Sequence, residues 1–150
     1  MTAILTDTER AILAAAANRI VPAHDALPGA GDLGVPAGIE QTLAQGPALR
    51  RAFLDGLRAI DFASGEPGFV AHVAAEQDAL LQAVEAAHPA FFALLVEHTY
   101  RGYYALPIVQ RALGLSGEPP QPHGHRLAPF DPALLAVQRQ RAPFWRRTND

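Results

Sequence analysis

The sequence predicts an all-α fold: a compact bundle of about five to six helices, then an extended, proline-rich C-terminal arm that ends in a short helix. Apolar residues recur at the three- and four-residue spacings of helices, and no stretch alternates apolar and polar residues as a half-buried strand does. Proline and glycine separate these stretches, which indicates several short helices. With 150 residues, of which 49% are hydrophobic and 18% charged, the chain can bury one core.

The first helix has the clearest start signal. Thr6 and Glu9 have capping-box spacing, in which each side chain accepts a hydrogen bond from the other residue's backbone N–H. Val21-Pro22 ends the helix, because the residue before proline is pushed away from helical geometry. Between these signals one apolar face recurs at helical spacing: Ile12, Leu13, Ala16 and Ile20.

Five further helices are predicted before residue 116. Prolines at positions 36, 47 and 89 are suited to first helical turns, and Gly46 and Gly114 to helix ends. The fifth helix is apolar on most of its circumference, which is typical of a central position in a bundle. The predicted segments are 36–46, 47–62, one entered through Phe69, Val70 and Val73, one containing AFFALLVEHTYRGYY, and 108–115.

The character of the sequence changes at Ser116. The next eighteen residues hold five prolines and no periodicity, which predicts extended chain, and Asp131 is a candidate cap for a helix from Pro132 to about Gln140. We therefore divide the chain into a bundle, 1–115, and an arm, 116–150, which either completes the same domain or clasps a partner. A polar disordered tail would not carry the arm's large apolar residues: Leu127, Phe130, Leu134, Leu135, Phe144 and Trp145.

Composition excludes several functional classes. The net charge of −3 is too small to indicate nucleic acid as a partner, although all twelve basic residues are arginine. The absence of cysteine excludes disulfides, iron–sulfur clusters and a cysteine nucleophile. No stretch approaches the roughly 18 apolar residues of a membrane span, and the N-terminus lacks the pattern of a secretory signal.

Three patterns resemble functional motifs. Gly29-x-Gly31-x-x-Gly34 matches a dinucleotide fingerprint, but it follows a helix instead of a strand, so we interpret it as structural. His123 and His125 could share a metal ion, but the further ligands that such sites need are missing. His98 is expected to be a buried neutral histidine with a hydrogen-bond partner, and not a general base. No catalytic, cofactor-binding or metal-binding residue is therefore assigned.

An ordered set of segments resembles a known family. The segments are IVPAHDALPGAGDLGV, Gly56-Leu57-Arg58-Ala59-Ile60-Asp61, and HTYRGYYALPIVQRALGLSGEPPQPHGH. Together they are similar to the gluconate 2-dehydrogenase subunit 3 family, over roughly residues 8 to 145. The resemblance implies a non-catalytic accessory subunit that binds, stabilises or matures a large subunit. That partner would be an FAD-dependent dehydrogenase of the glucose–methanol–choline type, and a cytochrome c subunit is a further partner that the resemblance allows.

The same resemblance sets expectations for location and substrate. Many relatives carry a twin-arginine signal; this sequence shows none, so the expected location is cytoplasmic, or periplasmic if the partner carries the export signal. The GYYALP segment is similar to the branch associated with glucosides, so we expect a sugar substrate. No cofactor is expected in this chain, and FAD is expected in the partner.

Aromatic and arginine residues dominate interface energetics, so the predicted contacts with the partner are concentrated on such residues and on the arm. Two alternatives stay open: a free-standing metal-dependent enzyme that uses His98, His123 and His125, and a self-associating helical module. The predicted interface consists of Tyr103, Tyr104, Pro122, His123, His125, Phe130, Phe144, Trp145 and Arg146.

Overall fold

The computed structural model describes residues 4–115, 124 and 129–142. Within these residues the chain is helical, with no strand and one isolated bridge between His24 and Leu27, so the all-α prediction is confirmed. A 3₁₀ turn, Phe69–Ala71, precedes the fourth helix, and another, Pro132–Leu135, precedes the last. The α-helices are α1 (Asp7–Ile20), α2 (Val35–Gln45), α3 (Pro47–Ser64), α4 (Ala74–Ala87), α5 (Pro89–Tyr104), α6 (Pro107–Ala112) and α7 (Ala136–Arg139).

Two units make up the chain, Met1–Glu118 and Pro119–Asp150. In the first, α1 to α5 pack on one another and α6 packs on α5. Their shared core is aliphatic and aromatic, and Leu13, Leu43, Phe53 and Leu95 are fully enclosed in it. In the second, the predicted short helix is present as the 3₁₀ turn and α7, and the Asp131 side chain accepts the Ala133 amide hydrogen at 2.9 Å.

The predicted capping box starts α1. Thr6 Oγ1 accepts the Glu9 amide hydrogen at 3.2 Å, and Glu9 Oε2 accepts that of Thr6 at 2.8 Å. This satisfies two amides that a helix start leaves without partners. The first helix is thus the one whose origin the sequence explains most completely.

A single carboxylate of α2 fixes the chain ahead of α1. Glu40 accepts the amide hydrogens of Ile4 and Leu5 at 3.2 Å each, and Arg10 donates to both of its oxygens at 2.9 and 3.1 Å. The hydrogen bond from Arg10, with the two backbone donors, lowers the pKa of Glu40 from 4.5 to about 2. Glu40 is therefore a structural carboxylate that joins α1 to α2.

The glycine motif of the α1–α2 loop is structural, as predicted. A side chain at Gly31 would clash with the backbone oxygen of Ala14, and the Gly31 amide donates to Asn18 Oδ1 at 2.8 Å. Gly34 precedes α2 with a φ of +78°, in the left-handed region that favours glycine. The glycines thus allow the loop to lie directly on α1.

Candidate functional site

Helix α5 begins at Pro89, whose missing N–H costs nothing in the first turn. Its core face packs against the other helices of the bundle. The aromatic side chains of this face interlock, since the Phe91 ring meets Phe53 edge-on with centroids 5.8 Å apart. The buried residues of α5 are Phe91, Leu95, His98, Thr99 and Tyr103.

A second apolar face of α5 is open to solvent. Phe92, Val96, Tyr100 and Tyr104 follow one another at four-residue spacing, so they form one stripe along the helix. Phe92 and Val96 are half-buried, whereas Tyr100 is 45% exposed and Tyr104 is 49% exposed. The two exposed rings lie together, with centroids 6.0 Å apart. We call these four residues the tyrosine surface.

Helix α6 holds the end of the tyrosine surface in place. The Gln110 side-chain amide donates to the Tyr104 carbonyl oxygen at 3.1 Å, which satisfies one carbonyl at the end of α5. Val109 anchors α6 in the core, while Ile108 is exposed on the outside. Two more exposed leucines, Leu113 and Leu115, flank Gly114, whose φ of +77° ends the helix.

A groove runs beside the tyrosine surface, between α5 and the pair α1 and α4. It encloses about 290 Å³ and is lined by Phe92, Val96 and Tyr100 together with Arg19 and Asp78, among others. Arg19 donates two hydrogen bonds of 2.7 Å to the Asp78 carboxylate. This bidentate pair lowers the pKa of Asp78 and satisfies both charges. The groove therefore presents apolar side chains around a neutralised ion pair.

The structure separates the two tyrosines of the predicted interface. Tyr104 lies in the tyrosine surface, whereas Tyr103 is buried and its hydroxyl donates to the Pro28 carbonyl oxygen at 3.4 Å. The Tyr103 ring meets Tyr104 edge-on at 5.4 Å, so it supports the exposed ring from the core side. Phe130 is exposed in the second unit. Outside the described residues lie Pro122, His123, His125, Phe144, Trp145 and Arg146.

Sequence reasoning left out two exposed aromatics. Tyr100 is four residues before Tyr104, and that spacing would have assigned both to one face. Phe62, in α3, is 91% exposed; it follows Ile60 by two residues, which turns it away from the core face of Phe53, Leu57 and Ile60. In both cases helical spacing was the available signal.

Several ionisable side chains of the described residues are held in structural contacts. Across residues 4–115, 124 and 129–142, no group of three or more histidine, aspartate or glutamate residues is placed to hold a metal ion. His72 lies between two acceptors, the Ser64 carbonyl oxygen and Glu76 Oε2, each at 3.0 Å. Two acceptors beside the ring, the Ser64 carbonyl first, favour its protonated form and raise the pKa of His72.

His98 is buried, as expected, and its ring contacts Phe53 edge-on, with centroids 5.6 Å apart. In the described parts of the chain, no helix is both long and apolar enough to cross a membrane.

Comparison with known families identifies the chain. The model of the family described as gluconate 2-dehydrogenase subunit 3 matches residues 7–116, which run from the start of α1 to just beyond α6. No curated protein and no solved structure matches the chain. The match covers most of the sequence and the whole helical bundle, so the chain belongs to the gluconate 2-dehydrogenase subunit 3 family.

Proposed function

We propose that this chain is a non-catalytic accessory subunit that binds and stabilises or matures the large subunit of an FAD-dependent sugar dehydrogenase. The family description, subunit 3, supports a role within a multi-subunit dehydrogenase. In this proposal FAD and the redox chemistry belong to a partner of the glucose–methanol–choline type, and this chain contributes a binding surface.

The observation that carries the proposal is the tyrosine surface. Exposed tyrosines are common at interfaces because a rigid ring buries a large area with little loss of conformational entropy. Here Tyr100 and Tyr104 lie on a well-packed helix, so little ordering is needed before binding. The apolar residues of α6, Ile108 among them, extend the exposed apolar area beyond the end of α5.

The ionisable groups of the bundle support a structural role for this chain. Arg10 is bound to Glu40, Arg19 to Asp78, and His72 to Glu76. Groups held in such pairs are poorly placed to exchange protons with a substrate. The arm, with Phe130 and the aromatic residues near position 145, is assigned in this proposal to a second contact with the partner.

Co-expression tests the proposal directly. The chain, tagged and produced together with the flavoprotein encoded beside its gene, should co-purify with it in a fixed ratio, and the complex should show the absorbance of bound flavin. The double variant Tyr100→Ser, Tyr104→Ser should weaken the complex at least about tenfold, since truncation of central interface aromatics costs 2 kcal/mol or more.

Phe62→Ser is the control, because it removes an aromatic residue of α3 that is even more exposed than the two tyrosines. If this variant dissociates the complex and the tyrosine variant does not, the tyrosine surface is the wrong site. If the wild-type chain does not bind the flavoprotein, the accessory function is wrong. A stable homo-oligomer that the tyrosine variant disperses would instead identify a self-associating module.

A further inference from the structure

A groove between α2 and α5 is distinct from the tyrosine surface and encloses about 300 Å³. Helix α2 contributes Gly38, Ile39 and Thr42, and α5 contributes His98, Arg101 and Gly102. Nothing in the capping or core packing described above accounts for this opening. Its lining combines an apolar wall with one imidazole and one guanidinium group.

The imidazole of His98 forms part of the wall of this groove. His98 is 9% exposed, and the ring packs edge-on against Phe53. In the described ranges Thr99 Oγ1, and neither ring nitrogen of His98, is an enclosed polar atom without a hydrogen-bond partner. The imidazole lines the groove, where a ring N–H can donate to a group that enters.

Gly38, on α2, is a second observation about the same groove. A Cβ at this position would meet nothing within 4 Å, so packing inside the chain does not require glycine here. Glycine within a helix costs about 1 kcal/mol relative to alanine. The space beside Gly102, on α5, is in contrast occupied, because a Cβ there would lie 2.9 Å from a methyl group of Val35. Gly38 is exposed, so the space beside it is open to a group that enters the groove.

The charged and polar groups of the groove determine which kind of ligand would fit. Arg101 makes one loose ion pair, 3.9 Å from Glu97, and both side chains are largely exposed. The Thr42 hydroxyl already donates to the Gly38 carbonyl oxygen at 3.0 Å. The groove therefore offers N–H donors from Arg101 and His98, and an ionised carboxylate, which only accepts, is the complementary group.

We propose that this groove receives an acidic side chain of the partner subunit, with Arg101 at its mouth and His98 at its base. This inference rests on the proposed function. Arg101 is three residues before Tyr104, so the two are neighbours on the surface of α5, and one partner can cover both the groove and the tyrosine surface. The acidic residue would fix the register of an interface that is otherwise apolar.

Gly38→Leu fills the groove and is the main test, in the complex of the full chain with the co-expressed flavoprotein. The isolated variant should be at least as stable as wild type, because leucine is a better helix former and the space is empty. Its dissociation constant for the flavoprotein should rise at least about tenfold, since a carboxylate would lose two charged or polar partners. Ala44→Leu, on an exposed part of α2 outside the groove, is the matched control and should bind normally.

Two further variants test the chemistry. Arg101→Gln should weaken binding and flatten its dependence on salt, whereas Glu97→Gln should leave it unchanged or slightly tighter. His98→Leu should weaken binding while the melting temperature of the isolated chain is kept. Normal binding by both Gly38→Leu and Arg101→Gln would overturn the inference and leave the accessory function intact.

The remaining outcomes also decide between occupants. If millimolar sodium acetate alone shifts the NMR signals of the His98 ring in the wild-type chain, the groove is a site for small carboxylates. That result would overturn the proposed contact with the partner. Self-association of the isolated chain that Gly38→Leu abolishes would assign the groove to a second copy and overturn it as well. Failure of the wild-type chain to bind the flavoprotein would overturn the proposed function and this inference together.

Discussion

The α1–α2 region and α5 differ in how many of their polar groups have hydrogen-bond partners within the chain, and in how much aromatic surface they leave exposed. Around α1 and α2, Glu40 has four donors and Gly31 lies against α1. Along α5, the Thr99 hydroxyl has no hydrogen-bond partner among the described residues, and Tyr100 and Tyr104 are half exposed. The difference indicates that the first region supplies stability while the second is available for binding.

Gly31→Ala, in the α1–α2 region, should cause the largest loss in the free energy of unfolding. The new methyl group would clash with the Ala14 backbone oxygen and displace the Gly31 amide from Asn18, at a cost of about 3 kcal/mol. Chemical denaturation of the isolated chain measures the loss. Gly38→Ala is the control, which should stabilise the chain by up to about 1 kcal/mol. Equal stability of the two variants would contradict the close approach of the loop to α1.

Glu40→Gln should cost about 2 kcal/mol at neutral pH, because it removes a charge-assisted pair with Arg10. The sign of the pH effect follows from the lowered pKa of Glu40, about 2 when folded against 4.5. Its stabilisation is complete above pH 4.5 and is lost as the pH falls towards 2. Denaturation curves across this range should show the wild-type advantage over the variant shrinking with acid; a constant difference would contradict the assignment.

Thr99→Val, in α5, should stabilise the chain, in contrast to the two substitutions in the α1–α2 region. The buried Thr99 hydroxyl has no partner among the described residues, so an apolar side chain of the same shape should stabilise the isolated chain by about 1 kcal/mol. Thr42→Val is the reference, since it removes a hydroxyl that is bonded to Gly38. A lower melting temperature for Thr99→Val would show that the hydroxyl is satisfied.

Tyr100→Ser should have the smallest effect on folding, less than about 0.5 kcal/mol, because half of the ring is already in water. Tyr103→Ser should be clearly more destabilising, since that ring is buried and contacts Tyr104. Melting temperatures of the isolated variants test this ranking. A reversed order would mean that the tyrosine surface belongs to the core.

Much of the fold could be predicted because its signals are local. The capping box at Thr6, prolines in first turns and the spacing of Phe53, Leu57 and Ile60 fixed the helices and their buried faces. Two ends differed slightly: α3 continues to Ser64, and Phe69–Ala71 forms a separate 3₁₀ turn before α4. Helix ends depend on tertiary contacts that local patterns do not contain.

The site was harder to predict because it depends on neighbours distant in sequence. Tyr103 and Tyr104 are adjacent and chemically identical, and their separation into core and surface follows from how α5 is rotated against the rest of the bundle. The empty space beside Gly38 likewise arises from the packing of α2 on α5. The position of His98, with its ring between Phe53 and that opening, also depends on this packing.

The connection between α1 and α2 contains amides that should exchange their hydrogens slowly. Surface loops usually exchange their amide hydrogens quickly, but here the Ala30 amide donates to the Val21 carbonyl at 3.0 Å and the Gly31 amide to Asn18. These amides should exchange with deuterium as slowly as those of the adjoining helices. We therefore expect Ala30 and Gly31 to open only when the bundle itself unfolds, so that exchange of their two amides would report the global stability of the bundle.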